Sequence, residues 1–359
     1  MCRPPSPALY ILPFLMHTQF VGVMGSLQLR DERLVPFVCT LCVGVVTMCI
    51  LLWQVGQSHS FTSEVKDIPM QPNLMHYNRN DAVQPTIAFA LVCTTEYWHY
   101  TYVLAHRIRR ITSVPHDLLI LTPSPSLPGM ASTLFGPTGV NATVIHVTMT
   151  LPVQVDPLER AFEISWIKLH LFTLTKYEQI LYLDSDIVLL RDMSPLFSHV
   201  RSFASVSLGC HLKPDLGDIN GGILLITPNA TLYDELMTLA VTNAKSGWTY
   251  SEQQLLAEYF LWTHPEKFTS LGEQFMLPYH ALDRDQLLYM NFYGRHWLFS
   301  ERSELDLLRI IYSVHFLCGS KPWQHSPRCQ NLDGSINAKC AVIRAWFREA
   351  EEALHGVVY

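Results

Sequence analysis

From residue 85 onward the chain alternates short apolar runs with stretches of helical spacing. "TIAFALVC" at 86–93 and "DLLILT" at 117–122 have strand length and little polar interruption. "ATVIHV" at 142–147, "QILYLD" at 179–184 and "GGILLITP" at 221–228 share that character. Between them, "WHYTYVLAHRIRR" (98–110) and "AFEISWIKLHLFTLTKY" (161–177) space their apolar residues as an amphipathic helix does. "ATLYDELMTLAVTNAK" (230–245), "SEQQLLAEYFLW" (251–262) and the tail 337–357 also read as helices. The Pro-, Ser- and Gly-rich stretch 123–139 reads as a loop. Strands with little alternation, separated by helices, predict an α/β fold with a mostly parallel sheet covered by helices on both faces.

The first 84 residues follow a different pattern. "LVPFVCTLCVGVVTMCILLW" at 34–53 carries no charge and matches the roughly 20 apolar residues that span a bilayer as a helix. Arg30 and Arg33 precede it, with Arg3 further out, and the next basic residue beyond it is Lys66. That bias predicts a cytoplasmic tail (1–33), one transmembrane helix (34–53) and the bulk of the chain on the lumenal side. A second apolar run, 8–29, is broken by Pro13, His17, Gln19 and Gln28. If both runs crossed, the large domain would face the cytoplasm instead. Residues 54–84 are polar, carry Pro69 and Pro72, and read as a stem.

Composition sharpens this picture in two places. The hydrophobic fraction is 49% and the charged fraction 16%, consistent with an apolar anchor. The formal net charge is -6 and no Lys/Arg cluster stands out, which argues against nucleic-acid binding. Of nine cysteines, Cys39, Cys42 and Cys49 fall in the apolar run. Beyond it, Cys329 and Cys340 are the pair proposed on proximity in sequence. No Cys-x-x-Cys pair stands there, which argues against a zinc site. Two sequons, Asn141-Ala-Thr143 and Asn229-Ala-Thr231, fit exposure to a secretory lumen.

The candidate chemistry starts at "QILYLDSDIVLLRDMSPLF" (179–197), where an apolar strand ends on two carboxylates, Asp184 and Asp186. Buried unpaired carboxylates are costly, so the pair marks either a plain solvated turn or a bound cation. Mg²⁺ and Mn²⁺ favour such oxygen ligands. Open α/β sheets bind ligands at the carboxyl ends of their strands, where Thr94, Thr95 and 184–186 fall. "DINGGILLITP" (218–228) sets Asn220 and two glycines before a strand, where glycine admits close approach to the backbone. "SEQQLL" (251–256) offers Glu252 and Gln253, with Ser251 as an ordinary N-cap in the plainer reading. "VHFLCGSKPW" (314–323) offers His315 as a nitrogen ligand, and Gly319 and Lys321 for a diphosphate.

Taken in order, these segments resemble glycosyltransferase family eight, the family of glycogenin and of several UDP-sugar transferases. The matching residues are "LVCTTEY", "WIKLHLFTL", "LYLDSDIVLLRDMSPLF", "INGGILLITP", "EQQLL", "LPYH" (277–280) and "HFLCGSKPW". They cover roughly 85–325, leaving 326–359 as a C-terminal extension. The resemblance implies a GT-A fold, Rossmann-like, and retaining, Mn²⁺-dependent transfer from a UDP-sugar. It implies Asp184, Asp186 and His315 as metal ligands, Gly319 and Lys321 as the diphosphate contacts, and Ser185 among the donor-binding residues. Thr94 and Tyr97 fall where the family holds uridine. Lys168 and Asn220 match positions facing the donor sugar. Glu252 and Gln253 match an Asp-Gln pair beside the reacting carbon. The longer glutamate departs from that pattern, as does Asn220-Gly221-Gly222. "DRDQLL" (283–288) also holds an Asp-Gln pair, set aside because "LPYH" should follow the true pair. Same-face attack and a covalent intermediate on Glu252 both remain open. The acceptor is a glycan, glycolipid, protein or polyol, and the location a Golgi or ER membrane. Tyr279, Tyr289 and Tyr293 lie where self-glycosylation would need a tyrosine. The rival is a membrane-tethered, catalytically silent binding protein on the same fold.

Overall fold

In the computed structural model the described residues are 86–123, 127, 129–148, 157–199, 203–206, 219–245, 251–282, 304–317, 319–331 and 333–355. The expected tail, membrane helix and stem (1–84) lie outside them, as do Tyr289, Tyr293 and the "DRDQLL" segment. Among the described residues no helix is long and apolar enough to cross a membrane.

The strands are β1 (Ile87–Val92), β2 (Asp117–Thr122), β3 (Thr143–His146), β4 (Gln179–Leu183), β5 (Ile187–Leu189), β6 (Phe203–Ser205), β7 (Ile223–Ile226), β8 (Phe268–Ser270), β9 (Leu277–Pro278) and β10 (Ser313–His315). A seven-stranded sheet runs β3-β2-β1-β4-β7-β6-β8, and a three-stranded sheet runs β5-β10-β9. β3, β2, β1 and β4 are mutually parallel, whereas β7 is antiparallel to both β4 and β6. The helices are α1 (Trp98–Ile111), α2 (Gly129–Phe135), α3 (Leu196–His199), α4 (Ala230–Lys245), α5 (Glu252–Ala257), α6 (Glu304–Leu307) and α7 (Ala338–Leu354).

Strand pleating explains why the strands lack polar alternation: both faces are buried. Phe89, Leu91, Leu181, Leu183, Ile223 and Leu225 face one core, with α1 and α7. Ala88, Ala90, Ile180, Tyr182, Leu224 and Ile226 face the other, beneath the helical segment 157–173, α4 and α5. Each fully buried Phe or Leu contributes about 1.5–3 kcal/mol of transfer free energy. α1 buries Thr101, Tyr102, Val103, Leu104, Ala105 and Ile108, more than one face, and carries Arg109 and Arg110 in its last turn, whose charge suits the negative end of the helix dipole.

Three local expectations need correction. The stretch 123–139 is not all loop, because α2 forms there by burying Ala131 and Phe135. The helix expected over 161–177 runs instead as a 3₁₀ segment, Pro157–Thr173, which the Thr173 hydroxyl closes by donating to the His170 carbonyl at 2.8 Å. The run 251–262 changes winding at Glu258: α5 gives way to a wider π turn, Glu258–Thr263, with His264 N–H bonding the Tyr259 carbonyl at 2.8 Å. The small sheet had no sequence signature, since its strands have three residues or fewer.

Asn337 caps α7 by accepting from the Cys340 N–H at 2.9 Å, and Cys329 is joined to Cys340 by a disulfide across a separation of 11 residues. Closing a loop of that size should stabilise the fold by about 2–3 kcal/mol. Replacing both cysteines by alanine should lower the unfolding free energy by that amount in a denaturant titration. The wild-type chain with added reductant should then unfold with the variant.

Candidate functional site

β4 stays apolar to Leu183 and stops at Asp184, whose N–H bonds the Gly222 carbonyl at 2.9 Å. The Ile187 N–H returns to the Asp184 carbonyl at 3.1 Å, so Asp184, Ser185 and Asp186 lie on one tight turn. Ser185 anchors that turn inward. Its hydroxyl donates to the Val92 carbonyl at 3.1 Å and lies 2.9 Å from the Thr101 hydroxyl.

The small sheet completes the cluster. β10 pairs antiparallel with β5, setting His315 opposite Ile187, and the Phe316 N–H bonds the Asp186 carbonyl at 3.1 Å. The His315 Nε2 atom therefore sits 3.1 Å from Asp186 Oδ1 and 3.8 Å from Asp184 Oδ2. Lys321 reaches back from the following loop, its ammonium 2.6 Å from Asp186 Oδ2 and 2.9 Å from the Phe316 carbonyl. Burial opposes charge on Asp186, but the His315 imidazole and the Lys321 ammonium together outweigh it and hold the carboxyl well below the usual range.

One ligand atom from each of Asp184, Asp186 and His315 lies within 4.8 Å of the others. Two carboxylates and an imidazole fit a hard divalent cation such as Mn²⁺. The His315 ring packs directly on Gly222, where any Cβ would overlap it. The glycine pair thus makes room for the protein's own side chains. A Cβ at Gly221 would crowd Glu252 and Gln253 in the same way.

A second group meets the first through Lys168. Its ammonium contacts Asp184 Oδ1 at 3.2 Å, Glu252 Oε1 at 3.1 Å and the Gly221 carbonyl at 3.0 Å. It also lies 4.9 Å from the centre of the Tyr182 ring. Burial works against the charge, and Asp184 and Glu252 overcome it, leaving the lysine pKa raised. Glu252 is equally buried, and its other oxygen accepts from the Ser165 hydroxyl. The Ser251 hydroxyl caps α5 as expected, accepting from the Gln254 N–H at 3.3 Å. Gln253 accepts from the Gly221 N–H at 2.9 Å, and Asn220 from the Gly222 N–H at 2.8 Å.

The remaining expected contacts border this cluster. The Thr94 hydroxyl is buried without a hydrogen-bond partner among the described residues. Tyr97 is 49% exposed, its ring 6.1 Å from that of Trp323 in the Lys321 loop. Gly319 is exposed, with open space where a Cβ would project. Sequence reasoning passed over Tyr182, Ser165 and Thr101. Tyr182 carried a legible signal: it stands two residues before Asp184 on one strand face, and its hydroxyl donates to that carboxylate. Ser165 and Thr101 are ordinary residues in helical segments and carried none.

Two outcomes follow for the isolated chain without metal. Lys168→Met leaves Glu252 buried without its cation, which should cost about 3–5 kcal/mol in a denaturant titration. Adding Glu252→Gln should recover about 1–3 kcal/mol of that loss. Asp186 has a depressed folded pKa, so its contribution is present above an unfolded value of about 4 and lost as pH falls through the folded value. The stability gap between wild type and Asp186→Asn should therefore shrink steadily below about pH 4.

No protein-family model matches the chain. Among curated proteins it is similar to Glycogenin-1 of Caenorhabditis elegans, with 27% identity over 165 residues, or 45% of this chain and 33% of that protein. The glycogenin of Komagataella phaffii is 27% identical over 177 residues, 48% of this chain and 41% of the relative. UDP-glucuronate:xylan alpha-glucuronosyltransferase 1 of Arabidopsis thaliana is 27% identical over 169 residues, 45% of this chain and 21% of the relative. The matched part is thus less than half of each relative's length. In structure the chain resembles the galactosyltransferase LgtC bound to donor and acceptor sugar analogs, with a TM-score of 0.52 at 15% identity, covering 74% of this chain and 95% of that one. The bifunctional glycosyltransferase WbbM gives a TM-score of 0.51 at 12% identity, over 76% of this chain and 50% of the other. These structural likenesses are of fold. Over nearly half its length the chain is thus similar to glycogenins and to a UDP-glucuronate:xylan alpha-glucuronosyltransferase, and it has a GT-A-like α/β fold with an Asp-x-Asp pair beside a histidine where the main sheet meets the small one.

Proposed function

We propose that the protein is a retaining glycosyltransferase that moves a hexosyl or related residue from a UDP-sugar to an acceptor hydroxyl. The convergence of Asp184, Asp186, His315 and Lys321 at the end of β4 carries this reading. Asp184, Asp186 and His315 would hold Mn²⁺, which when bound supplies Lewis-acid charge to the leaving diphosphate. Lys321 adds a point charge on the same side of the cluster. Gly319 stands beside the diphosphate in this reading, and Ser185 holds the acidic turn through its inward hydroxyl. The Thr94 hydroxyl, which has no hydrogen-bond partner among the described residues, and the exposed Tyr97 ring receive the uridine.

Lys168, Asn220, Glu252 and Gln253 shape the donor-sugar end. Both Glu252 oxygens are engaged, one by Lys168 and one by Ser165. A carboxylate so held is a poor nucleophile, which favours same-face attack by the acceptor over a glycosyl-enzyme on Glu252. In same-face attack the leaving phosphate takes the acceptor's proton. The acceptor is a glycan, glycolipid, protein or polyol, and the setting a Golgi or ER membrane with the domain lumenal. Tyr279 stacks on Phe316 at 4.1 Å, which holds its ring against the fold. A silent protein on the same fold is the second reading, and the intact set of ligands speaks against it.

The test uses the purified chain with a panel of UDP-sugars, with and without Mn²⁺, beside Asp186→Ala. One donor should release UDP slowly, and chelation or the variant should abolish release. Absence of UDP binding by calorimetry in the presence of Mn²⁺ would overturn the reading.

A further inference from the structure

Both sequons occupy exposed surface. Asn141 and Thr143 are exposed, as are Asn229 and Thr231. Asn141 is the non-glycine residue with a positive φ, 50°, among the described residues, a conformation asparagine tolerates well. Its backbone is pinned, because Arg109 donates to the Val140 carbonyl at 2.8 Å and to the Asn141 carbonyl at 2.7 Å. Its carboxamide makes no hydrogen bond among the described residues. Asn229 caps α4, its Oδ1 accepting from the Leu232 N–H at 3.2 Å. That bond uses the amide oxygen and leaves Nδ2 available.

Register places both residues away from the metal cluster. β7 is antiparallel to β4 and Ile226 pairs with Ile180, so Asn229 follows the end of β7 remote from Asp184. At about 3.3 Å per residue, four residues from Ile180 to Asp184 already separate them by roughly 13 Å along the strand. Asn141 precedes β3, the edge strand, which β2 and β1 separate from β4. Three strand spacings of about 4.8 Å give roughly 14 Å of lateral separation. A bulky group on either asparagine leaves the cluster open. On Asn141 it would also shield a sheet edge that is unpaired among the described residues. The Cys329–Cys340 disulfide fits the same oxidising compartment.

We propose that Asn141 and Asn229 are N-glycosylated in a secretory lumen, with a lipid-linked oligosaccharide diphosphate as glycosyl donor. The bond formed joins the asparagine Nδ2 to the sugar's anomeric carbon. The bond broken links that carbon to the lipid diphosphate, which departs with the electron pair, and the amide releases one proton. The sites do not depend on the sugar-transfer chemistry proposed above, but they do rest on its lumenal setting.

The full chain, expressed in cultured eukaryotic cells, would be treated with peptide-N-glycosidase and weighed by mass spectrometry. The wild type should lose two glycans, and Asn141→Gln and Asn229→Gln one each. Thr143→Ala and Thr231→Ala should repeat these results with both asparagines, and hence the α4 cap, intact. An unchanged wild-type mass overturns the proposal. Two glycans that persist in the threonine variants overturn the assignment to these sequons.

Discussion

A buried ammonium holds this site together. Lys168 lies beneath the end of β4, and a charge in that position persists only with partners that repay its desolvation. It finds them in three separate parts of the chain: Asp184 at the strand end, the Gly221 carbonyl in the turn before β7, and Glu252 at the start of α5. The pairing is reciprocal, since Glu252 is as deeply buried and needs the cation as much. One side chain thereby ties the acidic turn after β4 to the start of α5.

The second constraint is the small sheet. β10 binds β5 immediately after the acidic turn, so its backbone pairing delivers His315 to Asp186. Gly222 then decides whether the imidazole fits, because the ring occupies the space a side chain would take. A metal-ligating imidazole is neutral, so with His315 in that role three carboxylates, Asp184, Asp186 and Glu252, stand against two ammonium groups, Lys168 and Lys321. That excess of negative charge is a physical reason for a cation to bind, and the Lys321 contact to Asp186 meets only part of it.

Much of the main sheet was legible because its cause is local. Strands buried on both faces are written as unbroken apolar runs, and β1, β2, β4 and β7 lie within the runs that predicted them. α4 spans 230–245, as its pattern indicated. Short elements were not legible. β5, β9 and β10 owe their existence to partners far along the chain, and three residues carry too little pattern to show it.

The sequence by itself determined which groups are present: the strand-ending Asp184 and Asp186, the glycine pair, Glu252-Gln253 and the His315–Lys321 segment. Order and residue type along the chain are enough for that, because each motif is a few residues long. Only the tertiary structure decided what these groups do to one another. That Lys168 is sequestered between Asp184 and Glu252, that Gly222 yields its space to His315, and that both Glu252 oxygens are engaged depend on contacts across 16 to 93 residues of chain. Pairing of buried charges and packing of rings against backbone are set by three-dimensional proximity, which no local pattern encodes.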